Sequence, residues 1–192
     1  TNLFQSMASY NGTLKKKRYN AAFALTAYAS PGGLNDANET QRLRQARTGA
    51  TSDYWYLRFE GEQTWRVNDF LTWRTELQGQ WTDARLLASE QFGLGGYNSV
   101  RGYELNEATT DRAYLIRNEW RFPVIPVVQD PKGKKWGDSL RLHLFWDYAD
   151  GRPVRPLAAE DPHVILSGVG AGLRYHLGTW LTLRLDWGFQ LK

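Results

Sequence analysis

LTLRLDWGFQL, residues 181–191, alternates without a break. Leu181, Leu183, Leu185, Trp187, Phe189 and Leu191 take one face of an extended chain, and Thr182, Arg184, Asp186 and Gln190 take the other. A period of two is the signature of a strand with one apolar and one polar surface. Four other stretches repeat it. In 55–66, Trp55, Leu57, Phe59 and Trp65 oppose Arg58, Glu60, Glu62, Thr64 and Arg66. In 70–81, Leu71, Trp73, Leu77 and Trp81 oppose Arg74, Glu76, Gln78 and Gln80. In 114–122, Tyr114, Ile116, Trp120 and Phe122 oppose Arg117, Glu119 and Arg121. In 140–148, Leu140, Leu142, Leu144, Trp146 and Tyr148 oppose Arg141, His143 and Asp147.

A further strand over 165–177 sets Ile165, Val169, Ala171, Leu173, Tyr175 and Leu177 against Gly168, Gly170, Gly172, Arg174 and His176. Residues 15–29 fit another strand, with Tyr19, Phe23 and Leu25 on one side, and 3–10 a further one of ambiguous facing. The pattern predicts seven or eight antiparallel strands and no amphipathic helix; 36–47 is helix-tolerant but lies in a long loop. Short turns are expected at Asn11-Gly12-Thr13, Val67-Asn68-Asp69 and Gly178-Thr179, and long connections at 31–51, 83–113 and 149–163. Alternating short turns and long loops belong to outer-membrane barrels. The exception is 123–139, whose prolines and Lys132-Gly133-Lys134-Lys135 predict an irregular excursion on the short-turn side.

A soluble β-sandwich also alternates. Strand length and polar-face charge favour a membrane barrel. Several strands run to about 11 residues, enough to cross a bilayer with tilt. Ladders such as Arg58-x-Glu60-x-Glu62 and Arg117-x-Glu119-x-Arg121 suit a water-filled inner wall where opposite charges pair across strands. Composition agrees. The 192 residues include nine Trp and ten Tyr, rings that gather at membrane interfaces. Mean hydropathy is −0.57, too polar for a helical membrane protein but not for a barrel. A net charge of +4, mixed in sign, predicts no nucleic-acid partner, and the lack of cysteine excludes disulfides and thiolate metal sites. Lys15-Lys16-Lys17-Arg18 reads as a solvated strand end near lipid phosphates.

The longest connection contains GLGGYNSVRGY. Gly93, Gly95, Gly96 and Gly102 permit tight bends, and Arg101 between Val100 and Tyr103 is an odd centre for a solvated loop. Val100-Arg101-Gly102-Tyr103, preceded by Gly95-Gly96, resembles the VRG(F/Y) loop signature of the BamA–TpsB superfamily. Phe145-Trp146-Asp147 resembles that superfamily's FxDxG inner-wall motif, with Ala149 in place of the glycine. SPGGLN at 30–35, SEQF at 89–92 and the closing DWGFQL resemble the two-partner secretion branch (TpsB, hemolysin-activator/ShlB/FhaC type) more than the BamA branch.

The resemblance implies an all-β, antiparallel transmembrane β-barrel of about sixteen strands, with periplasmic POTRA domains in the complete protein. Residues 1–192 would be one segment of that barrel, its C-terminal part, with the long loop folded into the lumen. It further implies that Arg101 reaches Asp147 with Phe145 packing nearby. The expected lumen-facing charges are Arg58, Glu60, Glu62, Arg74, Glu76, Arg117, Glu119, Arg121, His143, Arg174, Arg184 and Asp186. The implied function is secretion of a dedicated exoprotein across a bacterial outer membrane, with lipid and the exoprotein as partners and no cofactor or small-molecule substrate. A barrel-assembly factor and a soluble glycan-binding module are the alternatives. An enzyme is not expected: His143, His163 and His176 lack zinc-site spacing, and of a Ser139, His143 and Asp147 set the latter two are explained as wall residues while nothing marks a nucleophile.

Overall fold

The computed structural model describes residues 4–33, 40, 44–45, 47–128 and 137–191. Its long strands are β1 (Ser6–Lys16), β2 (Tyr19–Pro31), β3 (Asp53–Arg66) and β4 (Thr72–Trp81). A short ribbon follows, β5 (Phe92–Leu94) and β6 (Ala108–Thr110), and then β7 (Arg112–Arg121), β8 (Asp138–Arg152), β9 (Val164–Leu177) and β10 (Leu181–Leu191). The eight long strands form one antiparallel sheet in chain order, with β1 and β10 at its edges; β5 and β6 pair separately. The arrangement is an up-and-down barrel wall, open among the described residues.

Burial is inverted relative to a soluble protein. Large apolar side chains on the outward face lie bare, with Trp187 73% exposed, while inner-face Asp147 is fully buried. Water would penalise that arrangement, and a hydrocarbon surround favours it. Rings mark two levels of the outward face. Trp55 packs on Trp81 and Tyr114 on Tyr148 toward the long loops, and Trp65 packs on Trp73 near the short turns. Trp55 and Trp65 are ten positions apart on β3. At roughly 3.3 Å per residue and a tilt near 40° that is about 25 Å, the height of a barrel's apolar band. The outward face also holds polar groups that satisfy one another. Asn118 Oδ1 accepts from the Trp73 indole at 3.0 Å and from the Thr75 hydroxyl at 2.8 Å.

Two boundaries differ from expectation. Asn11-Gly12-Thr13 is not a turn but the middle of β1, and Lys17-Arg18 turns the chain. Asn-Gly favours a tight turn locally, yet Tyr10 and Leu14 continue the outward apolar face on either side of Gly12. Phe23 lies opposite Gly12, and its ring fills the space a side chain there would need. Lys15 and Lys16 thus end β1, and Lys17 and Arg18 make the turn itself. β8 also extends to Arg152, shortening the following loop to 153–163. Within 36–47, Thr40, Arg44 and Gln45 have helical backbone, and the remaining residues of that stretch other than Arg47 lie outside the described set. The tail of the 123–139 excursion joins the sheet, since Asp138 opens β8. Ile125 bridges Leu140, and 129–136 fall outside the described residues.

Candidate functional site on the inner wall

The connection from β4 to β7 runs from the long-loop end back over the inner face. Register explains where it lands. Leu115, Ala149 and Leu166 sit directly opposite one another on β7, β8 and β9. These are inner-face positions, so the polar alternation is broken at one level in three adjacent strands. That apolar stripe is the landing pad for the loop. Leu94 and Val100 bury completely against it together with Ala113, and Phe92, Tyr103, Ala108 and Val164 close the edges. Where the loop covers it, this stripe of the inner wall is buried in protein contacts. Ala149 is itself fully buried in this cluster, so the methyl that replaces the motif's glycine serves as packing.

Small residues admit the loop tip. Gly102 has φ of 100°, a conformation glycine adopts at little cost, and a side chain there would press on the Gly188 backbone at 3.1 Å. Gly188 is equally close to Arg101 and Gly102, and a side chain at Gly168 would strike the Arg101 carbonyl. The glycines of β9 and β10 thus form a recess for the Val100-Arg101-Gly102 backbone. Gln190 donates to the Gly102 carbonyl at 3.0 Å, and the Tyr103 hydroxyl donates to the Ser167 carbonyl at 3.2 Å. Gly95 and Gly96, both at positive φ, bend the approach, where the Gly95 amide donates to the Ser99 hydroxyl.

Arg101 then enters a carboxylate cage. Its Nε donates to Asp147 Oδ2 at 2.7 Å and one terminal nitrogen to Asp147 Oδ1 at 2.8 Å, a side-on bidentate pair. The other terminal nitrogen donates to Glu119 Oε1 at 2.7 Å, and the Arg101 amide donates to Asp147 Oδ2 at 3.1 Å. The guanidinium carbon lies 3.7 Å from the centre of the Phe145 ring, a cation–π contact between two buried groups. Phe145 in turn occupies the space above Gly170. An uncompensated charge at this depth would be costly, and the planar fork of Arg fits two carboxylates as an ammonium cannot.

A ladder of charges spreads from this centre. Glu119 Oε2 accepts from Arg121 at 2.7 and 2.8 Å. Asp186 takes a bidentate contact from Arg174 at 2.8 and 2.9 Å, and His143 Nε2 lies 2.9 Å from its Oδ1. Arg117 donates to Glu76 at 2.8 Å, and Arg74 joins Glu76 to Glu62, the latter through two 2.8 Å contacts. Three residues expected on this wall stand apart. Arg58 turns toward the long loops, donating to Gln80 at 2.7 Å and lying over the Tyr56 ring. Glu60 and Arg184 make no side-chain hydrogen bond or ion pair among the described residues. Ser139, His143 and Asp147 do not assemble as a triad, since Asp147 is bound to Arg101 and His143 to Asp186.

Sequence reasoning missed Glu119 as the second carboxylate on Arg101. It also missed Asp111, the fully buried hub of the external loops. Asp111 accepts from Arg47 at 2.5 and 3.1 Å, from the Leu86 amide at 3.1 Å and from the Val154 amide at 2.7 Å. Beside it Arg85 donates to Glu160 at 2.5 and 2.9 Å. The landing pad left a trace, because Leu115 and Leu166 are large apolar residues on otherwise polar faces. Only strand register reveals that they align.

Known proteins supply the context. The heme/hemopexin transporter protein HuxB of Haemophilus influenzae (strain 86-028NP) is 31% identical over 103 residues, 52% of this chain and 17% of that protein. The outer membrane transporter CdiB of Escherichia coli O6:K15:H31 (strain 536 / UPEC) is 33% identical over 89 residues, 44% of this chain and 15% of that protein. The solved structure of CdiB from Escherichia coli superposes with a TM-score of 0.76 at 20% identity, covering 98% of this chain and 33% of that one. The chain thus corresponds to about a third of a solved transporter and shares its fold. Residues 5–175 match the haemolysin secretion/activation protein ShlB/FhaC/HecB, and with an inside-out sheet and a loop bound to its inner wall, this outer-membrane β-barrel chain belongs to that family.

Proposed function

We propose that this chain is the loop-bearing part of a two-partner secretion transporter, and that the whole protein passes one dedicated exoprotein through its barrel. The reading rests chiefly on the buried contact of Arg101 with Asp147 and Glu119. It anchors a long loop across the inner wall, where a passing chain would have to move it or slide beside it. The surrounding charges offer a hydrated path with few apolar stations for an unfolded polypeptide. The outward face meets lipid. Transport of this kind needs no cofactor, no bond-making step and no small-molecule substrate.

The test is secretion by the full-length protein. Arg101→Ala and Asp147→Ala should each lower exoprotein in the medium about tenfold or more while the barrel still inserts, and the double variant should be scarcely worse than either single one. Arg101→Lys should restore part of the loss, because it keeps the charge and loses the fork. Unchanged secretion in both alanine variants would overturn the reading. Failure of other outer-membrane proteins to assemble would point instead to a barrel-assembly factor.

A further inference from the structure

Toward the short turns from the loop tip, the inner wall carries a row of arginines. Arg174 on β9 lies directly opposite Arg141 on β8 and Arg184 on β10. Arg121 on β7 sits one diagonal step from Arg141, since its own partner is His143. Like charges set directly opposite destabilise a sheet, so such a row calls for a counter-charge. Arg121 and Arg174 have theirs in Glu119 and Asp186. Arg141 and Arg184 have none among the described residues, and the Arg141 Nε is buried without a hydrogen-bond partner. All four line a cavity of about 560 Å³ beneath the loop, whose lining holds six arginines and three glutamates.

We propose that this row is an oxyanion site that receives acidic side chains of a polypeptide passing along the wall, an assignment that rests on the transport reading. Guanidinium groups bind carboxylates through paired, charge-assisted hydrogen bonds. The shape of the row selects the ligand. It crosses β7 to β10, three strand spacings of about 4.8 Å, so it spans about 14 Å, too wide for one small ion. An extended peptide presents alternate side chains about 7 Å apart, so carboxylates at i and i+2 both fall within the row of about 14 Å and within reach of its long guanidinium stems. Arg121 and Arg174 are occupied by the wall carboxylates Glu119 and Asp186, and the unpaired Arg141 and Arg184 are left to the ligand.

The test is a fluorescence anisotropy titration of labelled hexaglutamate with the full-length protein in zwitterionic detergent at low salt. Hexaglutamate should bind and hexaglutamine should not, with binding weakening as salt rises. Arg141→Gln/Arg184→Gln should weaken binding about tenfold or more, since two charge-assisted contacts are lost. Arg184→Gln alone, at an exposed position of β10, should weaken it by a smaller factor and serves if the double variant does not fold. Equal affinity in wild type and variants would overturn the site. Displacement by inorganic phosphate at the same concentration as hexaglutamate would overturn the acidic-segment assignment and leave a small-anion site. Because binding is read without transport, loss of secretion alone tests the transport reading and retained hexaglutamate binding still supports the site.

Discussion

Arginines at two levels of one inner wall, one brought in by the loop and two standing on β8 and β10, meet different fates. Arg101 is buried, neutralised by Asp147 and Glu119 and capped by the Phe145 ring. Arg141 and Arg184, two to three turns of the pleat away, face an open cavity with no acidic partner among the described residues. The difference lies in what covers them. Over Arg101 the loop excludes water, so each charge there must be matched, and removing one member strands another in a dry place. Along the lower row the cavity opens to solvent, which screens the repulsion between the opposed charges, while the Arg141 Nε stays buried and unpaired. Covered charges lock the loop, and uncovered ones remain available.

The largest effect should come from breaking the covered group. Asp147→Ala leaves Arg101 with Glu119 and, at 3.9 Å, Asp186, removes the bidentate contact, and should destabilise loop docking by about 3–5 kcal/mol, read as lost amide-exchange protection over 92–110. Lower-row variants such as Arg184→Gln should leave that protection intact. If they abolish it as well, the two groups are not independent.

A smaller effect separates outer from inner face rather than upper from lower wall. Leu183→Arg places a charge against hydrocarbon and should cost about 2–4 kcal/mol near the midplane, measured by urea unfolding from vesicles. Thr182→Arg, one residue away on the wet wall, should be far milder. Equal costs would refute the facing on which the whole comparison depends.

The smallest effect concerns the external loops. The Arg85 guanidinium bonded to Glu160 holds that carboxyl down at about 2. A depressed pKa in the folded state means the clasp contributes fully above the ordinary carboxylate range, near 4.3, and is lost as pH falls toward 2. Pepsin should therefore spare residues 153–163 at pH 5 and cut them as pH approaches 2. Glu160→Gln should be cut at both.

The two faces of each strand were legible from local alternation, because side-chain direction in a strand depends only on position parity. The partnership of Arg101 with Asp147 was expected from the motifs that carry both. Glu119 was assigned to the correct face and yet not to Arg101, since its distance from the loop tip depends on how β7 registers with β8. The turn at Lys17-Arg18 was hidden by the stronger local signal of Asn11-Gly12, which pairing with Phe23 overrides.

By itself the sequence determined a membrane-facing surface, a charged inner surface and a loop with an arginine at its tip. These follow from period, composition and short motifs, all of them local. Only the tertiary structure decided that Leu115, Ala149 and Leu166 align as a landing pad, that glycines of β9 and β10 make the recess, and that Arg141, Arg174 and Arg184 stand in line. Each is a matter of register between strands, which hydrogen bonding along whole ladders sets and no single stretch of residues encodes.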